Sequence, residues 1–268
     1  MIKKESDLDK KSIVDFHFNC LQGTYFSEII NRKDYVILLS DLVEDSYYNY
    51  IAQTQGDINL ILKETKDLFL QRNRKQAIYI TPCSNLYDKE DTLPKEFASW
   101  ATDAWMILTD ESYYQGFKIP EEIIIEDVQY SQKEEYVKTF HLSYAGDNPD
   151  DPYANLPEYY SKSLLRSFDA KNPNFKIYYV WAKYQNKIIG VASMYSDGIT
   201  AGVYGLGTIE KYRKLGIGAS LMKFLYEKAV AENISVLMLQ TEYKSYVEKW
   251  YTKMGFNTVF LGKYFVKE

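Results

Sequence analysis

Apolar positions along the chain switch repeatedly between helical spacing and the alternation or short solid runs of strands, and each switch marks an element. Residues 13–30 predict a helix whose apolar residues are interrupted by Gly23. DYVILLSDLV, residues 34–43, and YYNYIAQT, residues 47–54, read as strands. Asp57 is placed to cap a helix whose stripe is Ile58, Ile61, Leu62, Thr65, Leu68 and Phe69. A short strand at 76–80 is ended by Pro82. Pro94 then predicts the start of a helix with Phe97, Trp100, Ala101, Ala104, Trp105 and Leu108 along one side. Gly116-Phe117 follows, and Pro120 precedes a short β-rich run.

From Ser131 the pattern starts again. Tyr136, Val137, Phe140 and Tyr144 share a helical face, residues 145–157 form a polar, Pro-containing loop, and 158–168 resume a helix. Residues 175–198 predict two antiparallel strands turning at Gln185-Asn186, with another strand after Thr200. Strand 203–209, helix 219–231, strand 234–240, helix 243–254 and Gly255-Phe256 match, in coarse order, residues 47–54, 58–70, 76–80, 94–108 and Gly116-Phe117. The match implies an internal duplication, with a change of domain near 125–131 and halves at 1–128 and 129–268. One fused sheet is the alternative.

Composition narrows the function. Thirty-two Lys and Arg against 37 Asp and Glu give a net charge of -5 without a long basic block, which argues against a nucleic-acid or anionic-membrane partner. Cys20 and Cys83, with His17 and His141, are too few and too scattered for a disulfide scaffold or a metal site. The charged N-terminus leads into no apolar segment suited to export or membrane insertion, so a cytoplasmic location is the expectation. The 26 tyrosines fit core and sheet positions with hydroxyls at the boundary, and their number alone identifies no base-stacking surface.

The sharpest local signal is Arg213-Lys214-Leu215-Gly216-Ile217-Gly218, set between a strand and an amphipathic helix bearing Leu221, Met222, Leu225, Tyr226 and Ala229. Glycines let such a loop turn tightly against an anion, and the first helical N–H groups point towards it. The segment suits a diphosphate, although an inert strand-to-helix connection has the same outline. Neither a dinucleotide fingerprint nor a Gly-Lys-Ser/Thr ending is present, which disfavours NAD and ATP.

On these residues the second half resembles the GCN5-related N-acetyltransferase (GNAT) family. The resemblance implies an α/β fold around a central mixed, mainly antiparallel sheet, in tandem here with a degenerate GNAT-like first half. It further implies that Arg213 and the backbone of Lys214, Leu215, Gly216, Ile217 and Gly218 contact the pyrophosphate of acetyl-CoA. Leu206, Gly207 and Thr208 would hold the pantetheine arm through their backbone, on a strand splayed from 234–241 to form a V-shaped slot. CoA is then the product, and no metal takes part.

Tyr251 lies on the broad face of Tyr243, Tyr246, Val247, Trp250 and Met254, which by itself is ordinary core patterning. Four residues before Gly255-Phe256, it matches the family position whose phenol protonates the departing sulfur. Glu210 is a candidate base for the attacking amine or a solvent-facing charge; Glu242 and His141 are weaker candidates, and water is another. Lys244 and Val247 stand where many relatives carry Asn and Ala, so Lys244 becomes a candidate contact to a CoA phosphate. The first half has no counterpart of RKLGIG. It is expected to buttress the sheet or shape the acceptor pocket, with Tyr113, Tyr114 and Trp105 at the junction or simply packed. The expected protein is a monomeric or homodimeric acetyltransferase for a small-molecule amine, and a non-catalytic acyl-CoA sensor is the competing class.

Overall fold

A computed structural model describes residues 9–146, 154–170 and 172–268, so most of the loop expected at 145–157, and nearly all of the charged N-terminus, lie outside the described residues. The first half runs α1 (Lys10–Cys20), β1 (Glu28–Asn31), β2 (Val36–Leu39), β3 (Tyr50–Ala52), α2 (Ile58–Gln71), β4 (Ala77–Ile80), β5 (Phe97–Leu108), α3 (Ser112–Gly116) and β6 (Ile123–Asp127). The second runs α4 (Lys133–Ser143), α5 (Glu158–Ser167), β7 (Lys176–Tyr184), β8 (Lys187–Ser196), β9 (Thr200–Thr208), α6 (Ile217–Ala231), β10 (Val236–Glu242), α7 (Tyr246–Lys253) and β11 (Phe256–Lys267). No helix among the described residues is long and apolar enough to cross a membrane.

Local chemistry accounts for most of these elements. Asp57 caps α2 by accepting from the Asn59 N–H at 2.8 Å, and Ile58, Ile61, Leu62, Thr65 and Phe69 form its buried stripe. Burying each large apolar member stabilises the fold by about 1.5–3 kcal/mol. Gln185 and Asn186 both take positive φ, 49° and 61°, between β7 and β8, the backbone twist that a two-residue hairpin requires.

Two predicted helices are corrected. The helix expected over 13–30 stops at Cys20, because the Leu21 carbonyl takes the N–H groups of Thr24, Tyr25 and Phe26 around Gly23, at φ 86°. Its last residues form strand β1 against β2. The helix expected from Pro94 is the twelve-residue strand β5. Residues 104–108 are buried on both faces of a central strand, so their apolar run loses the alternation that marks a half-exposed strand and imitates a helix stripe.

Among the described residues, the strands form one eleven-stranded sheet in the order β1-β2-β3-β4-β11-β5-β10-β9-β8-β7-β6. Only β3–β4 and β9–β10 are parallel, which makes the sheet mixed and mainly antiparallel. The duplication holds with a different alignment: β3-α2-β4-β5 matches β9-α6-β10-β11, and the place of α7 is taken by a segment with one 3-10 turn at Glu90–Thr92. The halves also interleave. Strand β11 pairs with β4 of the first half, while β5 of the first half lies between β11 and β10. One layer of core packs α1, α4 and α5 on one face of the sheet, and another packs α6 and its neighbours on the opposite face.

Candidate active site

The site begins where two strands part. Strands β9 and β10 pair only through Thr200, Ala201 and Gly202, opposite Val236, Leu237 and Met238. Beyond that point β9 continues beside β8 to Thr208 and β10 continues beside β5 to Glu242, leaving the V-shaped slot the resemblance implies. A bulge against β8 adds to the divergence: Gly205, at φ 59°, lies in the stretch where the register of β9 shifts between Tyr204 and Gly207.

The glycine loop lies at the mouth of this slot. Lys214 and Gly216 take positive φ, 67° and 83°, and Gly216 is the N-cap of α6. Alternation of this kind gathers backbone N–H groups into an anion-binding nest, which the N-terminus of a fifteen-residue helix reinforces. At Gly218 a Cβ would lie 3.2 Å from the Trp250 ring, so a side chain there would oblige that ring to shift by a few tenths of an ångström from the first turn of α6. Arg213 lines the slot, and its guanidinium donates to the carbonyls of Thr208 at 3.2 Å and Ser143 at 3.1 Å. It therefore clamps the end of β9 to the last turn of α4.

Tyr251, only 7% exposed on α7, faces the same cleft. Helix α7 is held in place by Ser245, which accepts from the Glu248 N–H at 3.1 Å, and by Glu248, which accepts from the Lys244 N–H at 2.6 Å and from the Thr258 hydroxyl at 2.7 Å. The cleft has a volume of about 760 Å³ and runs from Arg213, Lys214, Gly216, Ile217 and Gly218 along Val203 to Thr208 and past Tyr251. Its inner end reaches the first half, at His17, Tyr25, Tyr47, Tyr48 and Asp103, together with Tyr264 of β11.

The cleft therefore unites Leu206, Gly207, Thr208, Arg213, Lys214, Gly216, Ile217, Gly218 and Tyr251. Leu215 is 47% exposed and is not among the lining residues. Lys244 also lies off the lining, with its ammonium 5.1 Å from the centre of the Tyr243 ring. Glu210 is exposed after β9, its carboxylate beside Gly146, and it too lies off the lining. His141 is exposed on α4, near the Ser161 hydroxyl. Tyr113, Tyr114 and Trp105 are packing residues; Trp105 is buried against His17 and Phe260.

Two titratable residues at the inner end were not legible as site residues. Asp103 is half-buried as a residue, but its carboxyl is turned inward, and its desolvation there raises it to about 7 despite hydrogen bonds from the Tyr79 and Tyr264 phenols. His17 is enclosed, and burial holds its imidazole down to about 3, so it is neutral at physiological pH. Its Nδ1 lies 3.0 Å from the Tyr204 hydroxyl on β9. Both belong to elements far from the glycine loop in sequence, so no local motif joins them to it.

These residues fit an acyl-CoA. The nest and the α6 N-terminus offer N–H groups to a pyrophosphate, and the divergent edge of β9 offers backbone to an amide-containing arm. On β10 the Gln240 side chain lines the cleft, with its Nε2 buried and without a hydrogen-bond partner among the described residues.

A family model described as the acetyltransferase (GNAT) family matches residues 135–256. No curated protein matches the chain. Among solved structures, the chain is similar to a functionally unknown conserved protein from Staphylococcus epidermidis, with a TM-score of 0.69 at 14% identity over 99% of each chain. It is also similar to a GCN5-related N-acetyltransferase from Kribbella flavida, with a TM-score of 0.64 at 13% identity over 93% of each chain. A tandem GNAT protein from the clavulanic acid biosynthesis pathway gives a TM-score of 0.60 at 8% identity, covering 87% of this chain and 77% of the other. Its tandem arrangement fits the two-part sheet described above. Residues 135–256, with their splayed strands and glycine loop, therefore match the acetyltransferase (GNAT) family, a match that supports acyl transfer as the general class of chemistry.

Proposed function

We propose that the protein transfers an acetyl group from acetyl-CoA to a primary amine of a small molecule. The observation that carries this reading is continuity: one cleft joins the anion loop, the parted edge of β9, the Tyr251 phenol and an inner chamber able to receive an acceptor. The loop from Lys214 to Gly218 and the α6 N-terminus hold the pyrophosphate, and β9 aligns the arm. The thioester supplies an activated acyl carbon. An N–H of β9 stabilises charge developing on the acyl oxygen, and Tyr251 gives a proton to the departing sulfur.

Residues 1–128 descend, in this reading, from a GNAT-like unit that has lost the anion loop and now forms the acceptor end. A fragment beginning at 129 would lose β5 from between β10 and β11, and β6 from beside β7, so the test uses the whole chain. Calorimetry with acetyl-CoA, followed by thiol release with a panel of amines, is expected to show binding and turnover. Tyr251→Phe should bind equally and turn over slowly. Binding without transfer to any amine would favour a sensor, and the absence of specific CoA binding would end the reading.

A further inference from the structure

The inner chamber has a composition of its own. Asp103 sits on β5, opposite Glu242 of β10 on one side and Gly262 of β11 on the other. Around it, Tyr25, Tyr47, Tyr48 and Tyr264 line the same end of the cleft, with Tyr25 and Tyr48 stacked at 4.6 Å. Among the described residues, the titratable groups facing Asp103 are Tyr48 ahead of β3, Tyr50 of β3, Tyr79 of β4, Glu242 of β10 and Tyr264 of β11. None of them is a cation.

A relay of donors fixes how the carboxylate is presented. Trp105 Nε1 donates to the Tyr79 hydroxyl at 2.6 Å, and an indole N–H can only donate. The Tyr79 oxygen is therefore an acceptor for Trp105, and its own proton is directed to Asp103 Oδ2 at 3.3 Å. Tyr79 is locked by stacking on Tyr264 at 4.1 Å and by Gly262, where a Cβ would lie 2.0 Å from the Tyr79 hydroxyl. Close packing thus holds an acid, supported by phenols and lacking a basic partner among the described residues, against a cavity. A structural acid whose carboxyl is desolvated in this way is ordinarily paired with a cation, since leaving it unpaired is costly.

We propose that Asp103 is the acceptor-recognition carboxylate, binding a small organic ammonium in the tyrosine-walled inner chamber and taking its first proton. The inference rests on the acyl-transfer reading for its second clause only. The acceptor class is a primary ammonium on an apolar or aromatic body, because the phenol faces favour a cation and the ring walls favour a hydrocarbon. Proton transfer converts ammonium and carboxylate into neutral amine and carboxylic acid, and the enclosed site aids this step because two buried charges become none. The amine nitrogen then bonds to the acyl carbon and the carbon–sulfur bond breaks. Tyr251 gives its proton to sulfur and is replenished by the second proton leaving nitrogen, and Asp103 later returns the first to solvent.

The test measures binding of 2-phenylethylamine, hexylamine and 1,4-diaminobutane to the intact protein with CoA present, each against its matching neutral alcohol. At least one amine should bind tenfold or more tighter than its alcohol, and Asp103→Asn should erase that preference while CoA affinity stays within twofold. In the wild-type protein, amine affinity should fall about tenfold per pH unit below pH 7, as the carboxylate protonates. This measurement needs no variant and stands even if Asp103→Asn folds poorly. Amines that bind no better than alcohols, a preference that survives Asp103→Asn, or pH-independent amine binding would each overturn the proposal. Loss of CoA binding by the wild-type protein, with amine preference intact, would instead overturn the acyl-transfer reading alone.

Discussion

Replacing Gly262 with alanine tests whether Tyr79 is held in place by close packing. The added Cβ would lie 2.0 Å from the Tyr79 hydroxyl oxygen and 2.4 Å from its ring carbon Cζ. Tyr79 must then retreat by roughly 1.5 Å to regain ordinary contact distance. Overpacking of this kind costs about 1–3 kcal/mol. The retreat also strips Trp105 Nε1 of its acceptor, and an orphaned buried donor costs about 1–3 kcal/mol more. The sum, about 2–6 kcal/mol, is a large share of the roughly 5–15 kcal/mol that holds a typical fold together. For a chain of this size it lowers the melting midpoint by roughly 5–15 °C. Urea titration of Gly262→Ala, Tyr79→Ala and the double variant checks the cause. With the ring gone, the second alanine should cost under about 0.5 kcal/mol, a strong coupling between the sites. An undiminished penalty in the Tyr79→Ala background would refute the packing argument.

Tyr251→Phe should lower kcat by about 10²–10⁴-fold with CoA affinity and melting temperature nearly unchanged, read by thiol release and calorimetry. Gly216→Val forces a branched side chain into φ 83°, and should weaken CoA binding by at least tenfold and cost about 1–2 kcal/mol of stability. The buried acid and imidazole predict opposing pH effects. Asp103, raised to about 7, holds a proton in the folded state that the unfolded chain releases, so its contribution falls as pH rises from about 4 to 7. His17, lowered to about 3, stays neutral when the unfolded chain protonates, so its contribution is lost as pH falls from about 6.5 towards 3. Between about pH 4 and 6.5 the two slopes oppose each other. Asp103→Asn should therefore steepen the gain in stability with rising pH, and His17→Gln should shift the slope the other way; identical slopes in the wild type and both variants would disprove the pair.

The glycine loop and Tyr251 were legible because their chemistry is local. A strand, two positive-φ turns, a helix start and a Gly-Phe sequel lie within one stretch of chain, and the structure brings them to one cleft. Asp103 was hidden for the opposite reason. It lies on a strand whose solid apolar run imitates a helix, and its neighbours Tyr79, Glu242 and Tyr264 come from three other strands. Glu210 looked suitable because it follows β9 directly, but sequence distance does not report direction, and its side chain faces Gly146. The interleaving of β5 and β11 was likewise invisible, since an amphipathic pattern says which face is buried and not which strand lies alongside.

That interleaving also governs how the protein is made. Residues 77–80 leave the ribosome long before residues 263–266, their antiparallel neighbours, exist. Until the later stretch arrives, an apolar β-edge stands open, the kind of surface that invites aggregation or chaperone capture. The first half of the polypeptide therefore cannot finish its own architecture as it is translated; it must wait for the second.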